Sequence, residues 1–114
     1  MKPEQRVSLS IRNLIETVGG YVYSTEQGYR KDRGGTRCTR GIPDWSVFVA
    51  GHFAFVELKA GNNKPTRAQE RFGEHCHRAG VSWQVWRSVF DAKSWLVEIG
   101  VPEDATPLER RAGR

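Results

Sequence analysis

Two runs rich in β-branched and aromatic residues, WSVFVA at 45–50 and FAFVELKA at 53–60, flank a Gly51-His52 pair. Little other than a β-hairpin accommodates that pattern. A Gly-X pair suits a two-residue type II′ turn, so Gly51 and His52 are expected at its corners. Asp44 then lies opposite Lys59, and Ser46 opposite Glu57. Side chains two residues apart share a face. Asp44, Ser46, Glu57 and Lys59 therefore gather at the open end of the hairpin. Phe48, Ala50, Phe53 and Phe55 continue the same face toward the turn. Charges are rarely buried unless paired, so two acids and a lysine on a half-apolar face need a reason.

Two reasons compete. The plain one is a solvated edge, with Glu57 and Lys59 exposed and Asp44 in the turn after Pro43. The other is a hard divalent cation, which relieves the repulsion between two carboxylates and takes oxygen ligands. Such an ion polarises a phosphodiester and lowers the pKa of water. Lys59 would then hold the attacking water or offset charge developing on phosphate.

The rest of the chain frames that hairpin. Val7, Ile11, Leu14, Ile15 and Val18 recur as one stripe of an amphipathic helix over residues 4–18, ended by Gly19-Gly20. A short strand is expected at 21–25. Residues 26–40 are polar and lack periodicity, with Arg30, Lys31, Arg33, Arg37 and Arg40 against Glu26 and Asp32, and read as an exposed basic loop. Asn62 to Thr66 reads as a turn. Thr66 is the expected N-cap of a helix to Ala79, with Ala68, Phe72, Cys76 and Ala79 inward and Gly80 as its stop. A strand at 81–86 and a helix at 90–99 follow, the latter with Phe90, Trp95 and Leu96 as core contacts. Trp83, Trp86 and Trp45 are expected in the core rather than stacked on bases. The order is αβββαβα, a small mixed sheet flanked by helices.

Composition narrows the class. A chain of 114 residues, 38% hydrophobic, is expected to form a single domain over 1–100 with a charged tail at 101–114. It holds no run approaching the ~20 apolar residues of a membrane span, and its first residues lack an apolar signal core. Two cysteines, Cys38 and Cys76, make no disulfide framework and fit a reducing cytoplasm. With His75 and His77 they match no common zinc spacing. The formal net charge of +5 points toward phosphate-rich partners.

GIPDW at 41–45, FVELKAG at 55–61 and PTRAQ at 65–69 together resemble the PD-(D/E)xK nuclease superfamily, and within it the VRR-NUC family. The similarity spans residues 4–96. It implies a restriction-endonuclease-like α/β core and a Mg²⁺- or Mn²⁺-dependent DNA endonuclease. By position, Asp44 and Glu57 would be metal ligands, Lys59 the catalytic lysine and Gln69 a supporting polar residue. The backbone carbonyl of Leu58 would complete the metal shell. The family also places a glutamate on the first helix. Glu4 falls on the apolar stripe and Glu16 nearly opposite, which favours Glu4. The glutamine that often follows that glutamate is replaced here, by Ser8.

The basic loop immediately precedes the proposed metal site, so Arg30, Lys31, Arg33, Arg37 and Arg40 are expected to contact the DNA backbone, with Lys64 and Arg67 adding phosphate contacts. Compact relatives imply a homodimer that cuts branched, flapped or nicked DNA in phage or bacterial replication, recombination or repair, with no small-molecule cofactor. The rival expectations are a non-catalytic nucleic-acid-binding module and an accessory subunit of the same fold.

Overall fold

The computed structural model describes residues 3–25 and 40–102, without the side chains of residues 3 and 4. The elements follow in the expected order: α1 (Pro3–Thr17), β1 (Tyr21–Ser24), β2 (Trp45–Val49), β3 (His52–Leu58), α2 (Arg67–Ala79), β4 (Ser82–Trp86) and α3 (Val89–Glu98). The four strands lie side by side in sequence order. β1, β2 and β3 are antiparallel, and β4 joins β3 in parallel. That parallel step needs a crossover, and α2 supplies it.

The sheet has two unlike faces. One carries Val22, Trp45, Val47, Val49, Ala54, Val56 and Trp86, all buried against Ile11 and Ile15 of α1 and Ala92, Trp95 and Leu96 of α3. Val101 also joins this core. The other face carries Tyr21, Tyr23, Ser46, Phe48, Phe53, Phe55, Glu57 and Trp83, and α2 lies against part of it. Phe72 meets Phe55 edge-on, with ring centroids 5.1 Å apart. Gly73 packs on the Trp83 ring so closely that a Cβ would lie 2.6 Å from it. Beyond α2 the face opens, leaving Tyr21, Tyr23 and Phe48 exposed.

The hairpin register differs from the expected one. Its turn is Ala50-Gly51, not Gly51-His52: both turn residues have positive φ, +52° and +80°, and Val49 pairs with His52. This is the type I′ geometry, in which Gly51 serves as the second corner and Ala50 accepts the left-handed conformation. The two registers differ by two residues, so every side chain keeps its face. That is why alternation could not separate them.

Three expected core positions also lie outside. Phe90 is 73% exposed, because Ala92, Trp95 and Leu96 point α3 inward on nearly the opposite side of the helix. Val7 is partly exposed near the start of α1, and Ala79 is exposed at the end of α2, where Gly73 and Cys76 are the buried residues. Among the described residues no helix is long and apolar enough to cross a membrane.

Candidate functional site

The site forms where β2 begins and β3 ends. Continuing the observed register one step past Trp45↔Val56 brings Asp44 opposite Glu57, rather than opposite Lys59. Asp44 closes the hairpin by accepting a hydrogen bond from the Leu58 N–H at its Oδ2, 2.8 Å away. The turn that carries Asp44 is itself held by Thr25. Its N–H donates to the Asp44 carbonyl at 3.0 Å, and its hydroxyl lies 2.6 Å from the Pro43 carbonyl.

Glu57 is only 1% exposed. Its Oε1 accepts a hydrogen bond from Gln69 Nε2 at 2.8 Å. Its Oε2 is buried and is reached by no hydrogen bond of ordinary geometry. An isolated buried carboxylate is costly, so the group holds a proton instead. Burial is the largest cause, the neighbouring Asp44 adds to it, and Lys59 opposes it; the result is a Glu57 pKa raised to about 8. Lys59, partly buried just past β3, is thus close enough for its charge to act on Glu57. Its N–H donates to the Trp86 carbonyl at 3.1 Å, which extends the β3–β4 ladder beneath the site.

Gln69 reaches Glu57 from the first turn of α2. That turn carries a full capping box. Thr66 Oγ1 accepts from the Gln69 N–H at 3.2 Å, and Gln69 Oε1 accepts from the Thr66 N–H at 2.7 Å. The chain between Lys59 and Thr66 is tied down by Arg87, whose guanidinium donates to the carbonyls of Gly61 and Asn63.

The structure therefore brings together Asp44, Glu57, Leu58, Lys59 and Gln69. Glu4 lies in the first turn of α1, but its side chain is outside the described residues, whereas Glu16 is exposed. Ser8 is partly buried and donates to the Gln5 carbonyl at 3.3 Å. Arg40, Lys64 and Arg67 are exposed; Arg30, Lys31, Arg33, Arg37 and Cys38 lie outside the described residues. Cys76 is buried, which pushes its thiol pKa up, while His75 and His77 are exposed. Among the described residues no group of three or more His, Cys, Asp or Glu gathers as a metal cage. The side chains of Asp44 and Glu57 offer oxygen donors, the kind a hard cation requires. The unpartnered Glu57 Oε2 is the atom such an ion would satisfy.

Reading the sequence missed three supports. Thr25 and Arg87 carry no motif. Gly41 belongs to one, but its packing against α2 is visible only in three dimensions.

Solved structures share this fold. One described as "VRR_NUC domain" is 28% identical, matches 86% of this chain and 97% of its own, and has a TM-score of 0.66. Another, a "VRR_NUC domain protein", is 18% identical over 86% of this chain and 88% of its own, with a TM-score of 0.64. No family model and no curated protein matches the sequence. The fold is thus of the PD-(D/E)xK type, as the sequence resemblance implies, and the likeness points to a nuclease-type domain.

Proposed function

We propose that the protein is a divalent-metal-dependent endonuclease acting on DNA, with Asp44 and Glu57 as its metal-binding carboxylates. The observation that carries this reading is Glu57, a buried carboxyl with one free oxygen and a pKa raised to about 8, set beside Asp44. A carboxyl perturbed by burial and set beside a second carboxylate is a functional-site candidate. A Mg²⁺ or Mn²⁺ ion held there supplies Lewis-acid charge that polarises the phosphodiester and lowers the pKa of water. By the family resemblance, the Leu58 carbonyl and Glu4 would be the further residues to hold the ion.

The chain's own residues then divide the work. Glu57 would have to be deprotonated to hold a cation. Gln69 holds Glu57 Oε1 and so leaves Oε2 as the oxygen without an ordinary hydrogen bond. Lys59 positions the attacking water and offsets charge that develops on the phosphate. Arg40, Lys64 and Arg67, with Arg30, Lys31, Arg33 and Arg37, contact the DNA backbone. The compact domain favours recognition of junction, flap or nicked structures by a homodimer, in the cytoplasm of a bacterial or phage-infected cell. These finer points rest on the family resemblance.

The test is a cleavage assay on supercoiled plasmid, linear duplex, single strand, flap and four-way junction. Each is run with Mg²⁺, Mn²⁺ or EDTA. Metal-dependent cutting that disappears in Asp44→Ala supports the proposal. Lys59→Ala should bind metal as the wild type does yet cut at least ~10²-fold more slowly. Salt-sensitive DNA binding without cutting of any substrate would favour the non-catalytic binding module.

A further inference from the structure

The first turn of α2 does more than cap a helix. A glutamine amide presents an acceptor at one end and donors at the other, and its neighbours decide which end points where. Here the Thr66 N–H donates to Gln69 Oε1 at 2.7 Å, which fixes the oxygen. Nε2 is then the end that meets Glu57 Oε1, at 2.8 Å. With that polarity Glu57 Oε1 is taken up by a donor, and Oε2 is the oxygen left for a cation. A glutamate at position 69 would complete the same capping box. It would offer Glu57 a third carboxylate instead of a donor. Glutamine meets both demands at once.

The turn is anchored from its other side by Gly41. A Cβ at this position would collide with the Ala68 carbonyl and lie 2.7 Å from Gln69 N. Gly41 also has φ +79°, the left-handed region that disfavours side chains. The backbone of the turn that carries Asp44 thus rests directly on the backbone that carries Gln69. Both sides of the carboxylate pair are referenced to one contact.

We propose that Gly41 and the Thr66 N–H are positioning residues for cation capture: together they hold the Gln69 amide on Glu57 Oε1 and leave Oε2 open beside Asp44. This rests on the metal-site reading above. A helix cap alone would give α2 stability and no effect on metal affinity, so the two roles can be separated.

The experiment measures Mn²⁺ affinity by calorimetry on the full chain, with urea unfolding of each metal-free variant alongside. Gly80 is the control for Gly41, because it has φ +74° and nothing within 4 Å of an added Cβ. Gly41→Ala and Gly80→Ala should both lose stability. Gly41→Ala alone should weaken Mn²⁺ binding, by about tenfold or more. That loss should vanish when Gln69 is already alanine, as a double-mutant cycle reports. Thr66 has φ −70°, which proline adopts without strain. Thr66→Ala removes the hydroxyl cap and keeps the N–H; it should bind Mn²⁺ within about twofold of wild type. Thr66→Pro also removes the N–H, and should lose about tenfold. If Gly41→Ala does not fold, the Thr66 pair decides. Equal Mn²⁺ affinity in Thr66→Ala and Thr66→Pro, or in wild type and Gly41→Ala, overturns the inference alone. Absence of Mn²⁺ binding by the wild type overturns the metal-site reading and this inference with it.

Discussion

The two faces of the sheet are built from the same strands and solve opposite problems. Beneath α1 and α3, the buried face is almost wholly apolar, with Ile11, Ile15, Val47 and Val56 fully enclosed. Beneath α2, the other face combines aromatic rings with Ser46, Asp44 and Glu57 and stays open over β1 and β2. Burial on the first face drives folding. The second face gives up part of that gain to keep a buried carboxyl group poised. Alternation along each strand assigns the two tasks residue by residue, so a substitution one position along the strand should change which property suffers.

The largest expected effect lies on the closed face. Trp86→Ala should cost about 3–5 kcal/mol in urea unfolding, as large core truncations do. A loss near that of a surface change would mean that this face is not the stabilising one. Next comes Glu57 on the opposite face. Its folded pKa lies above the unfolded value of 4.5, at about 8. The folded state therefore binds the extra proton. Its contribution is fully present below pH 4.5 and is lost as pH rises toward 8. Metal-free protein should lose stability across this window by up to about 1.4 kcal/mol per pH unit. Glu57→Gln should flatten that profile and raise metal-free stability at pH 8 by about 1–4 kcal/mol. A wild-type profile that rises with pH across the window would contradict the assignment.

Smaller effects sharpen the contrast. Ala50 occupies the left-handed corner of the hairpin turn with φ +52°. Ala50→Gly should relieve that strain and stabilise by about 0.5–1 kcal/mol. A loss of stability would argue for the register with Gly51 and His52 at the corners. Phe48 is 46% exposed on the open face. Phe48→Thr should change stability by less than about 0.5 kcal/mol in thermal melts. A core-sized loss there would mean that the open face is covered in solution.

Much of this was legible in the residues. The helix stripe through Ile11 and Ile15, the hairpin, the cap at Thr66 and the shared face of Asp44 and Glu57 all follow from local periodicity. The register did not, because a two-residue slip preserves both faces. Phe90 reads as core from its apolar character alone, whereas its angle on α3 turns it outward. Thr25, Arg87 and the Gly41 contact join segments far apart in sequence, and no local pattern encodes such a meeting. The Gln69 position came from the family resemblance; its two simultaneous hydrogen bonds came from the fold.

The central claim is that the proton held at Glu57 sits where a cation binds. Calorimetric titration with Mn²⁺ at pH 7, repeated in buffers of different ionisation enthalpy, counts the protons released. With a Glu57 pKa of about 8, close to one proton should leave per ion bound, and Glu57→Gln should release none. Binding without proton release, or the same release from Glu57→Gln, would contradict the account.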